Sequence, residues 1–363
     1  MTKKKLAIIG TNGLPGRYGG WDQLLNHLTI TLSNKYEIIV YTSKHNAVPG
    51  LKEFNNSKLK VIPLKANGLQ SIFYDGISML DAAFKYDILL VLGTSGCIFL
   101  PFIRLINNNI ILNPDGAEWK RGKWNYFIKQ FLKLSEYLGI RFSKYIISDN
   151  LIIQQHIENI YKKKSFLIEY GGDQVIKKEL SKTTSHKYSI NEKKYAFKVC
   201  RIEPENNIDL ILNAFVHVEL KLILIGNWNN SKYGINLKKS FTNISNLILL
   251  DPIYDQDTLD ELRSNCGIYI HGHTVGGTNP SLVEAMNLGL CCIVYDVNYN
   301  RVTTNDQAIY FKTQNDLINI LNKYELQEID TSKIGNNLFK IAIEKYQWDL
   351  IISKYNYVFK TIQ

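Results

Sequence analysis

The chain has little of what would tie it to a disulfide scaffold, a membrane span or a secretory leader. Its five cysteines, Cys97, Cys200, Cys266, Cys291 and Cys292, make no Cys-x-x-Cys pair. That excludes a disulfide framework and points to buried, reduced thiols in a cytosolic protein. Behind Lys3-Lys4-Lys5 stand four apolar residues, Leu6 to Ile9, before Gly10, and a secretory h-region needs about 7–15. The apolar, uncharged stretch Ile88 to Ile103 is 16 residues long and is broken by Gly93, Gly96 and Pro101. A spanning helix needs about 20 apolar residues, so this stretch reads as a strand, a glycine turn and the start of a helix. The expectation is a soluble protein without a transmembrane anchor. No short internal repeat occurs, which excludes a solenoid.

What is present is ordinary in amount and uneven in distribution. The chain has 363 residues, 45% hydrophobic and 21% charged, which fits two globular domains of roughly 100–200 residues each. Lys+Arg number 43 against 33 Asp+Glu, a net of +10. Residues 1–175 hold 22 basic and 13 acidic side chains, and the remainder 21 and 20. A basic first half and a neutral second half imply a polyanionic partner for the first: nucleic acid, an anionic membrane surface or a phosphorylated substrate.

Strand signals at Leu6–Ile9, Glu37–Thr42, Lys60–Leu64, Asp87–Leu92 and Asn109–Leu112 alternate with helix patterns at Trp21–Leu32 and Ser71–Phe84. The alternation predicts a parallel sheet covered on both faces. Between Gln174 and Lys194 the pattern stops in a polar, Lys-rich stretch that includes Ser181-Lys182-Thr183-Thr184-Ser185 and reads as linker and surface loop. A second series follows, with strands at Tyr195–Val199, Lys221–Ile225, Leu247–Leu250, Gly267–His271 and Cys291–Tyr295. The predicted architecture is two Rossmann-like α/β domains facing each other across a cleft. Ligands of such sheets sit beyond the carboxyl ends of the strands.

Two glycine loops lie at such ends. Gly10-x-x-Gly13-x-x-Gly16, followed by Gly19-Gly20, invites a nicotinamide-dinucleotide reading. Against it, the second strand ends Val40-Tyr41-Thr42-Ser43 without an acid for a ribose, and no tyrosine has a lysine four places on. A loop approaching another phosphate or sugar, or a purely structural turn, are the other readings. The second loop, His271-Gly272-His273-Thr274-Val275-Gly276-Gly277-Thr278-Asn279-Pro280, leads into a helix with Asn279 as N-cap and Pro280 as first residue. Gly276, Gly277, Thr278, Asn279 and the first helical turn form a candidate diphosphate site. Glu284, an acid among Leu282, Val283, Ala285 and Met286, is either a solvent-edge glutamate or the acceptor of a ribose diol. Arg201, after the first strand of this half, suits a diphosphate or is a surface arginine.

Arg201-x-x-x-Glu205 after a strand, with Glu284 in Val283-Glu284-Ala285-Met286, resembles the retaining GT-B glycosyltransferases of family 4. Further motifs resemble the bacterial rhamnosyltransferase subgroup of capsule and cell-wall polysaccharide synthesis. These are Gly10-Thr11-x-Gly13-x-Pro15-x-x-Tyr18-Gly19-Gly20, Asp115-Gly116-x-Glu118-Trp119-Lys120-Arg121-x-Lys123-Trp124, Pro204-Glu205-Asn206-Asn207 and Gly276-Gly277-Thr278-Asn279-Pro280-Ser281. The resemblance implies a GT-B fold with an acceptor domain over 1–178, a nucleotide-sugar domain over 179–345 and a C-terminal helix, 346–363, crossing back to the first. It implies transfer from a nucleotide sugar, with dTDP-L-rhamnose as donor, to a lipid-diphosphate-linked saccharide. The enzyme would work peripherally on the anionic inner face of the plasma membrane, without metal, cofactor or nucleic acid. The family's first donor carboxylate falls on Gly276, which is compatible with a deoxysugar. Its donor-phosphate lysine falls on Asn206, which is kept among the expected donor-binding residues with Arg201 as the phosphate ligand.

Asp115, Glu118 and Arg121, among Trp119 and Trp124, are the candidate acceptor wall, since carboxylates bind hydroxyls and indoles stack on sugar faces; the alternative is a capped turn with two packed indoles. The expected catalytic set is Asp115, Glu118, Arg201 and Glu284. Gly13, Tyr18, Gly19, Gly20, Trp119, Arg121, His271 and His273 are expected at the acceptor side or lining the cleft. Asp149-Asn150 and Tyr170-Gly171-Gly172-Asp173 are expected at the hinge. Asp255-Gln256-Asp257 reads as a helix start capped by Asp257, not a metal motif. A nucleotide-sugar epimerase, an oxidoreductase using the Gly10 loop and a non-enzymatic sugar-binding protein are the competing functions.

Overall fold

Short runs of branched apolar residues make the strands, and the order in which they pair makes the sites. The computed structural model describes residues 3–16, 19–120 and 124–362, in two units: 1–170 with 348–363, and 171–347.

Unit 1 contains β1 (Lys4–Ile9), α1 (Gly20–Leu32), β2 (Tyr36–Ser43), β3 (Glu53–Phe54), β4 (Ser57–Ile62), α2 (Gln70–Ala83), β5 (Ile88–Leu92), α3 (Leu100–Ile106), β6 (Ile110–Asn113), α4 (Tyr126–Phe142), β7 (Tyr145–Ser148), α5 (Leu151–Tyr161) and β8 (Phe166–Leu167). The strands order as β3-β4-β2-β1-β5-β6-β7-β8. All pairs are parallel apart from β3 with β4. Ile88-Leu89-Leu90-Val91-Leu92 is buried along its whole length, as a central strand covered on both faces requires. The direction of the strand order reverses between β1 and β5, which puts the Gly10 loop at the switch point of this sheet.

Unit 2 contains α6 (Lys182–Tyr188), β9 (Tyr195–Val199), α7 (Ile208–Phe215), β10 (Lys221–Ile225), α8 (Lys232–Phe241), β11 (Leu247–Leu250), α9 (Gln256–Ser264), β12 (Ile268–His271), α10 (Pro280–Asn287), β13 (Cys292–Tyr295), α11 (Asn298–Thr304), β14 (Ile309–Phe311), α12 (Gln314–Glu325) and α13 (Thr331–Lys345). The sheet runs β11-β10-β9-β12-β13-β14 and is wholly parallel. Its switch point lies between β9 and β12, whose following loops are 200–207 and 272–279. The chain then returns to unit 1 as α14 (Trp348–Thr361), which buries Ile351, Tyr355, Val358 and Phe359 in the core shared with α1.

Two expectations change. The stretch read as linker is part of unit 2, because the boundary falls at Tyr170–Gly171. Ser181 caps α6 by accepting the Thr184 amide, and its hydroxyl donates to Glu261 of α9 at 2.9 Å. A Ser/Thr-rich segment thus folds through a cap and side-chain bonds, without apolar periodicity. Helix α9 is capped by Asp255, not Asp257: the Asp255 carboxylate accepts the Thr258 amide at 3.0 Å, while Asp257 pairs with Lys178. All five cysteines are buried and free. No helix among the described residues is long and apolar enough to cross a membrane.

Candidate functional site

In unit 2 the loops after β9 and β12 are fastened to each other. The Asn207 amide donates to the Gly272 carbonyl at 2.9 Å. The Thr274 amide and hydroxyl both donate to the Glu205 carbonyl, at 2.9 and 3.0 Å. A Cβ on Gly272 would stand 2.3 Å from the Asn206 carbonyl oxygen, so glycine is what lets the loops meet. Asn206 itself is buried and donates to the Arg201 carbonyl at 2.6 Å. It is placed as a staple of the Arg201 loop, with its amide occupied inside the protein, not as a donor ligand. Arg201 stays half-exposed, with Glu203 at 3.8 Å.

Asn279 caps α10 as expected, but the cap uses up the helix's first amides. Its carboxamide oxygen accepts from Ser281, and its carbonyl from Leu282 and Val283. The candidate phosphate donors therefore move back from the first helical turn to Gly276 and Gly277. Gly276 has φ +124° and open space where a side chain would stand; Thr278 is buried beneath this loop.

Glu284 is not a solvent-edge glutamate. Its Oε2 lies 2.9 Å from Arg263 Nη2, and its Oε1 accepts from Gln174 Nε2 at 2.6 Å. Arg263, on α9, is 3% exposed and also approaches the buried Asp260, 3.9 Å away. Burial raises the Glu284 pKa against the opposing pull of Arg263, and burial raises that of Asp260. A carboxylate has about four acceptor positions, so one on each oxygen remains for a diol. Gln174 reaches Glu284 because the chain enters unit 2 across α10 at Gly172, where a Cβ would be 2.6 Å from the Val283 backbone. The exit is fixed to the same helix: Asn287 accepts from Gln347 at 2.7 Å and donates to the Tyr346 carbonyl at 3.4 Å.

His271 is fully buried and stacks under His273, with ring centroids 4.4 Å apart. Burial and nearby Lys198 push its pKa well below the usual imidazole range, so it is neutral at pH 7. It supports His273 and does not line a surface, which corrects its assignment. Lys198, also completely buried, has its pKa lowered by desolvation. Among the described residues no group of three or more His, Cys, Asp or Glu side chains is arranged to hold a metal ion.

In unit 1 the Gly10 loop is a tight structural turn. Cβ atoms at Gly10 and Gly13 would lie 2.0 Å from the Leu92 carbonyl oxygen and 2.2 Å from Thr42 Oγ1, and both residues have φ near +90°. Gly19 is the N-cap of α1 and Gly20 its first residue. Tyr18 and Arg121 lie outside the described residues. Asp115, at φ +62°, follows β6, near buried Asp149 at the end of β7; burial and the Asp115 charge raise the Asp149 pKa. Glu118 accepts from the Trp124 indole at 3.1 Å, and Trp119 donates to buried Glu136 at 3.0 Å. Lys133 lies 4.6 Å from the centre of the Trp119 ring. These contacts are those of the capped turn with packed indoles, the alternative to an open sugar platform.

Residues 181–340 match the family model described as glycosyl transferases group 1. Residues 3–173 match the one described as a domain of unknown function (DUF1972). No curated protein matches the chain. Among solved structures, sucrose-phosphate synthase from Thermosynechococcus elongatus is similar with TM-score 0.80 and 12% identity, over 99% of both chains. Anabaena HepE in complex with UDP-glucose gives 0.79 and 14%, over 99% of this chain and 100% of that one. The catalytic domain of starch synthase IV from Arabidopsis thaliana, bound to ADP and acarbose, gives 0.70 and 11%, over 99% of both. At these identities the likeness is one of fold, and the fold is GT-B. The chain therefore has the GT-B fold, and its residues 181–340 carry a glycosyl transferases group 1 domain.

Three residues of these candidate sites escaped sequence reading. Arg263 stood as one more helix arginine, and no local pattern marked it. Gln174 lay in the supposed linker. Glu136 gathers Trp119, Tyr161 (2.6 Å) and His156 (3.4 Å), and its signal was an acid inside the apolar run of α4.

Proposed function

We propose that the enzyme moves L-rhamnose from dTDP-L-rhamnose to a lipid-diphosphate-linked saccharide, with retention of configuration and without a metal, at the anionic inner face of the membrane. The observation that carries this reading is Glu284, fixed by Arg263 and Gln174 beside a fastened glycine loop at the switch point of unit 2. Glu284 receives the ribose diol, the Gly276 and Gly277 amides receive the diphosphate, and Arg201 neutralises the charge that grows on it as the glycosidic bond breaks. The donor phosphate takes the acceptor's proton, so catalysis rests on positioning. Gly276 presents backbone in place of a carboxylate, which suits a deoxysugar. HepE, similar in fold, holds UDP-glucose, so UDP-sugars belong in the test.

The test is a donor panel of dTDP-rhamnose, UDP-glucose and UDP-N-acetylglucosamine, each with an undecaprenyl-diphosphate-linked sugar in EDTA, with products read by mass. Addition of a deoxyhexose is expected. A hexose product replaces the donor assignment, and a strict requirement for Mg²⁺ or Mn²⁺ removes the metal-free mechanism.

A further inference from the structure

Helix α2 buries a mixed face and exposes an apolar one. Its inward positions mix Ser71, Asp75 and Ser78 with Tyr74, Met79 and Ala82, all buried, while its outward positions, from Leu69 to Phe84, carry Phe73, Ile77 and Leu80 exposed. Large apolar groups exposed along the outward face oppose the hydrophobic effect for a helix facing water. The neighbouring helices extend the same surface. Helix α3 contacts both α2 and α4; Leu105 on α3 is 85% exposed and Phe127 on α4 82%. Large apolar side chains exposed on three adjacent helices are the kind of surface that marks an interaction site.

The charges around it have one sign. The ionic side chains of α3 and α4 are Arg104, Lys129, Lys133, Arg141 and Glu136, and the one acid, Glu136, is buried and bonded to Trp119. On α2, Asp81 is neutralised by Lys60 and Lys85. Counted by unit, residues 1–170 and 348–363 hold 24 Lys+Arg against 13 Asp+Glu, and residues 171–347 hold 19 against 20. A second copy docked on this face through a two-fold axis would set these cations against one another. Exposed apolar side chains on helices whose unburied, unneutralised charges are cationic instead complement an anionic bilayer, where the apolar groups enter the interface and the cations meet headgroups.

We propose that α2, α3 and α4 form a monotopic membrane-insertion face, which seats this enzyme on anionic lipid by apolar burial as well as by charge. The proposal deepens the membrane location given above and needs neither its donor nor its acceptor.

The test is flotation of the full chain with vesicles of phosphatidylcholine containing 30% phosphatidylglycerol, at low and high salt, against pure phosphatidylcholine. The wild type is expected to float with the anionic vesicles and to keep a residual fraction bound at high salt. The exposed-site variant Leu105→Glu/Phe127→Glu should lose at least tenfold in partitioning, and Phe73→Ser/Ile77→Ser should lose less, both with wild-type melting temperature and nucleotide affinity. A protein that stays unbound overturns the proposal. So does one whose binding vanishes with salt and ignores both variants, or one that forms a dimer broken by Leu105→Glu without binding lipid. Transfer to a short-chain, water-soluble diphosphate acceptor separates the two readings. Flotation without transfer refutes the acceptor and leaves the face; transfer without flotation refutes the face alone.

Discussion

In unit 2, Arg263, Asp260, Lys198 and His271 are each at most 3% exposed, whereas in unit 1 Phe84, Leu105 and Phe127 are at least 70% exposed. The unit 2 set is ionisable and sits where water is absent, and the unit 1 set is apolar and sits where water is present. Both arrangements cost stability, and each marks a place where something other than folding sets the side chain. On the proposed reading, that something in unit 2 is a carboxylate to be held at a ligand loop, and in unit 1 a surface to be covered. The glycine loops divide the same way: Gly10 and Gly13 are closed in by Leu92 and Thr42, whereas Gly276 opens on free space.

The largest effect that would sharpen this contrast is at Arg263. Arg263→Met leaves Glu284 and Asp260 buried without their cation, which should cost about 3–5 kcal/mol of unit 2 stability. Denaturant melts should show the deficit narrowing at acid pH, because both carboxyls have raised pKa values and become neutral early. A loss independent of pH would mean that lost packing, not unpaired charge, is responsible.

The glycine comparison comes next. Gly10→Ala should destabilise unit 1 by roughly 2–4 kcal/mol, since its methyl meets backbone and its φ is positive. Gly276→Ala carries the backbone strain alone, about 1 kcal/mol, and should weaken nucleotide binding more than it lowers the melting temperature. Equal melting shifts in the two variants would erase the distinction between a structural and a ligand-facing loop.

The smallest effect is at Asp75, whose carboxyl accepts from Ser95 and the Gly96 amide and whose pKa burial raises to about 7. Between about pH 4 and 7 the folded state holds a proton that the unfolded state, near 3.9, has released. Stability from this group therefore falls as pH rises through that window and is level above it. Asp75→Asn should melt a few degrees higher than wild type at pH 8 and equal it at pH 4. Parallel curves would exclude Asp75 as the source of the slope.

Much of the scaffold was legible because buried parallel strands are short apolar runs, as in Ile88–Leu92 and Lys221–Ile225. Helix α6 was not, since its Ser/Thr/Lys composition carries no periodicity and its order comes from Ser181 and contacts with Glu261. Asn279 and Glu284 stood out by position, a cap before a proline and an acid in an apolar turn. Arg263 and Gln174 did not, because what brings them to Glu284 is a meeting of α9, α10 and the Gly172 crossing that no local window contains. The α2 face hid for the opposite reason: an apolar stripe at helical spacing reads as core, and only three dimensions show it turned outward.

The central claim is that unit 2 holds the nucleotide of the donor on Glu284. Calorimetric titration of dTDP and UDP into wild-type protein and the Glu284→Ala variant tests it directly. The account predicts a fall of at least about 30-fold in affinity, roughly 2 kcal/mol, for whichever nucleotide the wild type binds, with the fold intact by circular dichroism. Unchanged affinity in the variant would contradict it.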